Sequence, residues 1–524
     1  MSVSPPAASA SASVVQIFVT SISESWRQPW QRRAPVESTG SGFVVCAARR
    51  LLCTCAHVVA RSETLQVRAD GCFSKFEARV LALAHDVDLA LLTVDDAAFW
   101  QPAGALPPLR ALKLGEAPRL TQEVAALGYP VGGDTLSVTS GVVSRVDWSA
   151  YSHSASSTLI ATVDAAINSG NSGGPVLDAD DAVVGVAFQS YSTSTEAENI
   201  GYVVPTPILL RVIEDFGAAP PPRAAAPAAL RGFACFSPRF QNMENAAARR
   251  AAGVPDGASG VLIAHVPLVS ALSGVVLAGD ALIAVDGEPI SNDGRVRFGG
   301  RSPLDFRVRV SLKLVGEPLA LTLLRGGARV DVATTAEAPP LLVPHRWHGR
   351  AAFFLFAGLV FSPMHFQDTK ALPHAYEASL RLLGHDRKHE KRGQQVVALV
   401  ALLPHSLTLG YKLSSFDREA LLAVNGADID CLADVFRACR DAQGEFCDFL
   451  FTGGRRVILP LADARRVTGE VMRSNKITHE ASDDVLAAVA AHDAAAAAAG
   501  VVEGASEGAS EGAAATAAKR PRLG

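Results

Sequence analysis

Short apolar runs separated by glycine, serine, aspartate and proline dominate residues 14–217. Residues 42–45 (Gly-Phe-Val-Val) and 182–188 (Ala-Val-Val-Gly-Val-Ala-Phe) are typical examples. Apolar, β-branched runs bounded by turn-forming residues favour short β-strands. The pattern therefore predicts a domain of many short strands, either a barrel or a sandwich.

An alanine- and proline-rich segment at residues 218–229 predicts a linker. Beyond it, Ala-Leu-Ile-Ala-Val-Asp-Gly at residues 281–287 recurs as Ala-Leu-Leu-Ala-Val-Asn-Gly at residues 420–426. Asp-Gly and Asn-Gly accept positive φ in tight turns, so each copy predicts a β-hairpin. Two copies imply related modules at residues 230–340 and 341–480, although two unrelated hairpins remain an alternative.

Composition excludes several classes of protein. The 524 residues are 49% hydrophobic and 19% charged, with a formal net charge of -4. The chain can therefore bury large cores, and it lacks the positive field typical of a nucleic-acid partner. Its apolar runs fall short of the roughly 20 residues that cross a bilayer, so no membrane span is predicted. The 8 cysteines favour free thiols in a reducing compartment.

The two ends of the chain differ in composition from the rest. Residues 1–13 are predicted to be a flexible N-terminus without a secretory signal, and residues 481–524 a low-complexity tail. The tail ends in a basic cluster, Lys-Arg-Pro-Arg at residues 519–522. Such a cluster resembles a nuclear import signal, so the nucleus is the predicted location. An ordinary charged tail, with a cytoplasmic or organellar location, is the alternative.

The strongest chemical signal is Gly-Asn-Ser-Gly-Gly-Pro at residues 170–175. A nucleophilic serine needs an exposed hydroxyl on a tight turn, with backbone N–H groups that converge on the developing oxyanion. The glycines around Ser172 allow such a turn, and the N–H groups of Gly170, Asn171 and Ser172 are the predicted oxyanion hole. A glycine-rich loop without chemistry is the alternative interpretation of this motif alone.

Two further segments supply the partners of a serine nucleophile. His57 lies at the end of an apolar strand, where a general base can be held rigidly. Asp88 lies at the start of another apolar strand, where a carboxylate can orient an imidazole. The order His57, Asp88, Ser172 is that of the chymotrypsin-like proteases and differs from subtilisins and α/β-hydrolases.

These residues resemble the Deg/HtrA (Do-like) serine proteases, closest to the plant and algal branch with two PDZ-type domains. The resemblance extends through residues 127–133 (Leu-Gly-Tyr-Pro-Val-Gly-Gly) and 164–168 (Asp-Ala-Ala-Ile-Asn). It implies a mainly β fold, with a chymotrypsin-like double β-barrel at residues 14–217 followed by two PDZ-like α+β modules. The second module is divergent, because Arg418-Glu419 replaces Gly279-Asp280 before its hairpin.

The resemblance implies an ATP-independent endopeptidase that degrades misfolded or regulatory proteins through an acyl-enzyme intermediate. It assigns Ser172 as nucleophile, His57 as general base and acid, and Asp88 as the carboxylate that orients His57. Asp86 is the nearby rival, and the Leu-Ala after Asp88 decides between them. A proteolytically silent PDZ scaffold or holdase chaperone is the alternative function.

In this family the position of Ile167 forms a wall of the S1 pocket, with help from the strand end at Phe188, Gln189 and Ser190. An apolar, uncharged wall favours Val, Ala or Leu before the scissile bond. Simple core packing of Ile167 is the alternative.

The carboxylate-binding loop of the first module is expected at Arg231, Gly232, Phe233 and Ala234, whose N–H groups could receive a peptide C-terminus. Residues 357–360 take the comparable place in the second module, where peptide binding and oligomer contacts are equally open. The family implies a homo-oligomer, a trimer or a multiple of trimers. Substrate proteins and C-terminal peptides are the expected partners.

No metal or cofactor is predicted. His385 and His389 have the spacing of two ligands on one helix face, but the sequence His-Asp-Arg-Lys-His lacks the Glu and the third ligand of a metalloprotease site. A solvated charged face is the better interpretation of this segment.

Overall fold

The computed structural model describes residues 8–101, 108–190, 200–219, 226–299, 303–347, 349–366, 393–416 and 419–495. The chain divides into two compact units. The first contains Met1–Ser23 and Arg33–Leu341, and the second contains Glu24–Arg32 and most of the chain after Leu342. Strands make up 38% of the structure and helices 19%, which confirms the predicted mainly β class.

The first half of the protease region is a seven-stranded antiparallel sheet in the order β5-β4-β1-β2-β3-β7-β6. Every residue of Leu89–Thr93 is buried, as expected for a continuous apolar strand. The strands are β1 (Val14–Ser21), β2 (Val36–Cys46), β3 (Leu51–Thr54), β4 (Ser62–Ala69), β5 (Phe76–Glu77), β6 (Arg79–Ala84) and β7 (Leu89–Thr93). The helices are α1 (Ala8–Ser11), α2 (Ala56–Val59) and α3 (Ala97–Trp100), with a 3₁₀ turn at His85–Val87.

The second half is a closed six-stranded barrel in the order β10-β13-β12-β11-β8-β9. Its interior is filled by small and β-branched side chains such as Val124, Ala161 and Val203. The strands are β8 (Glu123–Gly128), β9 (Ser137–Ala150), β10 (Ser157–Val163), β11 (Pro175–Leu177), β12 (Val183–Ser190) and β13 (Gly201–Pro205), followed by helix α4 (Thr206–Ala218).

The first PDZ-like module completes the first unit. Its sheet runs β14-β15-β16-β20-β21, with β17 paired to β16. Asp286 and Gly287 have φ of 49° and 79°, so the predicted hairpin turn is confirmed. The strands are β14 (Arg239–Asn242), β15 (Val261–His265), β16 (Ala281–Val285), β17 (Glu288–Pro289), β18 (Arg295–Val296), β19 (Leu304–Asp305), β20 (Pro318–Arg325) and β21 (Ala328–Thr335); the helices are α5 (Ala246–Ala251) and α6 (Arg307–Ser311).

The second unit contains a three-stranded sheet, β22-β23-β24, and a four-stranded sheet, β26-β25-β27-β28. Asn425 and Gly426 have φ of 52° and 80°, which confirms the second hairpin turn. The strands are β22 (Phe354–Phe356), β23 (Leu359–Pro363), β24 (Val397–Leu402), β25 (Leu421–Val424), β26 (Ala427–Asp428), β27 (Phe446–Phe451) and β28 (Arg456–Pro460). The helices are α7 (Leu432–Arg440), α8 (Leu461–Ser474) and residues 483–495, with 3₁₀ turns at Ser406–Thr408 and Leu413–Ser415.

The two modules keep one ionic contact despite their divergence. In the first, buried Asp280 accepts two hydrogen bonds from Arg325, at 2.8 and 2.7 Å. In the second, buried Glu419 pairs with Arg455. The acidic residue before each hairpin therefore has the same kind of partner, although its identity differs.

All 8 cysteines are free thiols, in agreement with the sequence interpretation. Among the described residues no helix is long and apolar enough to span a membrane. The predicted basic cluster at residues 519–522 and the pair His385 and His389 lie outside the described residues.

Candidate active site

His57 and Asp88 are joined by two hydrogen bonds. The Nδ1 atom of His57 lies 2.6 Å from Oδ2 of Asp88, and the backbone N–H of His57 donates to Oδ1 at 2.8 Å. Asp88 is almost fully buried, whereas 36% of the His57 side chain is exposed. A buried carboxylate on Nδ1 fixes the imidazole in the tautomer that leaves Nε2 to accept a proton.

Local backbone geometry positions His57 and Asp88 for this contact. The chain leaves β3 at Thr54, and His57 lies in the short helix α2 that follows. Asp88 caps the 3₁₀ turn with a φ of 54°, a left-handed conformation that aspartate tolerates better than most residues. Its carbonyl accepts the N–H of Ala56 at 3.1 Å, so the two segments are bonded along the backbone as well.

The Ser172 loop depends on glycines. A Cβ at Gly173 would lie 2.2 Å from the carbonyl oxygen of Ser41 and 2.2 Å from Oγ1 of Thr54, and a Cβ at Gly174 would lie 2.0 Å from the carbonyl oxygen of Leu127. Gly173 also has a φ of 87°, where glycine alone is unstrained. Because Gly173 has no side chain, the loop packs directly against Thr54 and Cys55, the residues that lead into the helix of His57.

Ser41 is a positioning residue that sequence reasoning missed. Its Oγ donates to the carbonyl of Gly170 at 2.6 Å and accepts the N–H of Tyr129 at 2.8 Å. Its backbone N–H donates to the carbonyl of Ser172 at 2.9 Å. A serine between two glycines, directly before the apolar run at residues 43–45, was the available signal, because a fully buried hydroxyl needs partners.

The predicted oxyanion donors divide into two groups. The N–H of Asn171 donates to the carbonyl of Asn168 at 3.0 Å, so it already has an acceptor within the loop. The N–H groups of Gly170 and Ser172 have no hydrogen-bond partner within the described part of the chain. The Oγ of Ser172 donates to the carbonyl of Phe188 at 3.3 Å.

The predicted S1 residues belong to the half of the protease region that forms the closed barrel. Ile167 is buried and packs against Gly201, where a Cβ would lie 2.6 Å from its Cδ1. Phe188 is buried and stacks on Tyr151 with ring centroids 4.8 Å apart. Gln189 and Ser190 end β12, and their side chains lie outside the described part of the structure.

The predicted carboxylate-binding loop of the first module is already engaged within the chain. Arg231 donates its N–H to Oδ2 of Asp215 at 2.8 Å, and Ala234 donates to the carbonyl of Lys313 at 2.9 Å. The N–H groups of Arg231 and Ala234 thus have acceptors within the chain, and the peptide site of this module stays a prediction. Sequence could not reveal this, because neither acceptor is a close neighbour of the loop along the chain; Asp215 lies 16 residues before Arg231.

A third N–H of this loop, that of Phe233, shows how the role of Asp86 differs from that of Asp88. Phe233 donates its N–H to Oδ2 of Asp86 at 3.1 Å, and Gly232 lies so close that a Cβ there would be 2.8 Å from the same oxygen. Burial raises the pKa of the Asp86 carboxyl above its ordinary value, and the bond from Phe233 offsets this only in part. Asp86 thus binds the module, whereas Asp88 binds His57.

Comparison with known proteins places this geometry in a family. The model of a trypsin-like peptidase domain matches residues 40–186, and that of a PDZ domain matches residues 343–484. Putative protease Do-like 3, mitochondrial, of Arabidopsis thaliana is 34% identical over 477 residues, which cover 90% of this chain and 80% of the relative. The chain belongs to the Deg/HtrA (Do-like) serine proteases.

A second Do-like relative supports this assignment, and a solved structure is reported beside it for its similarity alone. Protease Do-like 2, chloroplastic, of Arabidopsis thaliana is 32% identical over 484 residues, covering 90% of this chain and 75% of the relative. The solved HtrA-type protease AlgW with decapeptide covers 65% of this chain and 100% of its own, with 22% identity and a TM-score of 0.46. The predicted family and enzyme class are confirmed.

The predicted nuclear location is wrong. The similar Do-like proteases carry mitochondrial or chloroplastic names, which point to an organelle. The prediction depended on a few basic residues at the end of the chain, and such short clusters are signals of low specificity.

Proposed function

We propose that this Deg/HtrA chain cleaves peptide bonds with Ser172 as nucleophile, His57 as general base and acid, and Asp88 as the residue that orients His57. The observation that carries the proposal is the pair of hydrogen bonds, at 2.6 and 2.8 Å, by which one buried carboxylate holds His57. The Ser172 loop supports it, because a Cβ on the next residue, Gly173, would lie 2.9 Å from the backbone nitrogen of Cys55.

The geometry supports a stepwise acyl transfer. His57 Nε2 takes the hydroxyl proton while Ser172 Oγ attacks the scissile carbonyl, and Asp88 stabilises the resulting imidazolium. The N–H groups of Gly170 and Ser172 are the proposed donors to the oxyanion, without that of Asn171. His57 then protonates the leaving amine, and water hydrolyses the acyl-enzyme by the same steps.

We infer a preference for small aliphatic residues before the scissile bond. Ile167 and Phe188 are apolar and buried, and neither offers a counter-charge for Lys or Arg. Misfolded or regulatory proteins are the proposed substrates, and a homo-oligomer of three subunits or a multiple is the proposed assembly. The proposed location is an organelle.

The proposed domain organisation follows the sequence boundaries. The protease occupies residues 14–217, and the PDZ-like modules occupy residues 230–340 and 341–480. In the first module β14 pairs with β15 alone among the described strands. An edge strand of this kind can add an extended peptide, so C-terminal peptides remain proposed partners.

Casein digestion by the full chain tests the proposal. Ser172→Ala should abolish digestion, whereas Ser169→Ala, an exposed serine in the same loop, should digest at the wild-type rate. Equal digestion by Ser172→Ala and the wild type would contradict the assigned nucleophile. No digestion by any of the three, with retained suppression of casein aggregation, would favour a silent holdase instead.

A further inference from the structure

Cys55 is a buried thiol beside the proposed base, with no part in the mechanism above. It caps helix α2, two residues before His57, and has no exposed surface. Its Sγ lies 3.4 Å from the carbonyl oxygen of Ala187. The sequence places Cys55 next to His57, but only the fold brings Asp88 to both of them.

The three side chains form a potential ligand set for a metal ion. One ligand atom from each of Cys55, His57 and Asp88 lies within 4.8 Å of the others, and no other group of three such residues meets this criterion in the described ranges. A tetrahedral Zn²⁺ with ligands at roughly 2.0–2.3 Å holds them about 3.3–3.7 Å apart. A shift of about 1 Å would therefore suffice.

The ligand chemistry selects the kind of ion. Thiolate and imidazole ligands favour zinc and similar thiophilic ions over magnesium or calcium, which prefer oxygen. Thiolate and carboxylate together balance the charge of a divalent ion. Of the three ligands, His57 alone has an exposed side chain, 36% accessible.

We propose that Cys55, His57 and Asp88 form an inhibitory site for Zn²⁺ in this protease. The proposal depends on the proposed catalytic roles of His57 and Asp88. The ion occupies the position of the proton that His57 Nδ1 now shares with Asp88, and Cys55 supplies the third ligand.

The proton balance explains the inhibition. The imidazole proton moves from Nδ1 to Nε2 when Nδ1 binds the ion, and the Cys55 thiol releases its proton to solvent. One proton is therefore released for each Zn²⁺ bound. His57 with a proton on Nε2 cannot accept the hydroxyl proton of Ser172, so turnover stops although the serine is unchanged.

Variants separate this site from other zinc ligands. Inhibition of casein digestion by Zn²⁺ is measured relative to the metal-free rate of each variant. Cys55→Ser, which keeps a polar group near Ala187, should weaken inhibition about 10–100-fold. Cys53→Ala, a matched buried thiol, and His153→Ala, whose ring centroid lies 6.2 Å from that of His57, should leave it unchanged. Unchanged inhibition of Cys55→Ser, or its loss in His153→Ala, would overturn the proposal.

Direct binding distinguishes failure of this site from failure of the proposed function. Co²⁺ is titrated into the full-length Ser172→Ala protein, and thiolate-to-cobalt absorption and proton release are recorded. One cobalt and one released proton per chain, with the absorption lost in Ser172→Ala/Cys55→Ser, would support the site even without protease activity. No thiolate band, in a preparation whose wild type digests casein, would overturn the site and leave the protease assignment intact.

Discussion

The two sides of the proposed active site are built on different principles. On the first sheet, side-chain chemistry positions the base: the carboxylate of Asp88 makes two hydrogen bonds to His57. On the barrel, missing side chains position the nucleophile, because Gly173 and Gly174 leave no room for a Cβ. Ser41 connects the sides through its contacts with the Ser172 loop. The acid–base side should therefore be sensitive to changes of charge, and the nucleophile side to added volume.

Removing the charge of Asp88 gives the largest expected effect. Asp88→Asn should lower kcat about 10⁴-fold, because an amide no longer selects the His57 tautomer with a proton on Nδ1. Peptide hydrolysis under saturating substrate measures this loss. Asp95→Asn, an exposed aspartate on the same half, should retain full kcat. A loss below about tenfold for Asp88→Asn would show that another group orients His57.

Adding volume tests the nucleophile side. Gly173→Ala should lower the free energy of unfolding by about 3 kcal/mol or more, because its Cβ would clash with backbone and the φ of 87° is strained for alanine. Urea unfolding measures this change. The matched control is Gly133→Ala, where a Cβ meets nothing within 4 Å. Equal stability of the two variants would refute the close packing of the Ser172 loop.

Removing the link at Ser41 should give an intermediate effect. Ser41→Ala leaves the Gly170 carbonyl and the Tyr129 N–H without their partner, which should cost about 1–3 kcal/mol of stability. The loosened loop should lower kcat by up to about 100-fold with little change in KM, since orientation of the reacting atoms is lost. Ser38→Ala, exposed on the same strand, serves as control. A rise in KM alone would argue against positioning of the nucleophile.

The smallest expected effect is that of Asp86→Asn, which distinguishes the role of Asp86 from that of its neighbour Asp88. Because burial raises the pKa of Asp86, the folded chain binds more protons than the unfolded chain above the ordinary aspartate pKa. The stability of the wild type should therefore fall as the pH rises through this window. Asp86→Asn should remove this fall while kcat is retained within about tenfold. Urea unfolding at several pH values measures the slope of stability against pH, with Asp95→Asn as control. An unchanged slope in Asp86→Asn would contradict the account.

The sequence predicted features that depend on local chemistry. The Asp286-Gly287 and Asn425-Gly426 turns have the expected positive φ, because the two residue types specify that conformation. The order His57, Asp88, Ser172 predicted the family, since each position has a distinct residue type. These signals can be recognised from a few neighbouring residues.

The features that the sequence did not reveal depend on contacts between distant segments. Ser41 lies 129 residues from Gly170, which accepts its hydroxyl, and Asp86 lies 147 residues from Phe233. The second contact gives an acceptor within the chain to one N–H of the loop that the sequence indicates as a peptide site. One further feature is local: the N–H of Asn171 donates to the carbonyl of Asn168, a hydrogen bond that the residue types of the loop do not specify.

The central claim is that Ser172 is a nucleophile activated by His57. Reaction of the full chain with a fluorophosphonate probe, followed by peptide mass spectrometry, tests it directly. The account predicts one labelled residue, Ser172, and strongly reduced labelling in His57→Ala. Labelling at another serine, or equal labelling of Ser172 in His57→Ala, would contradict it.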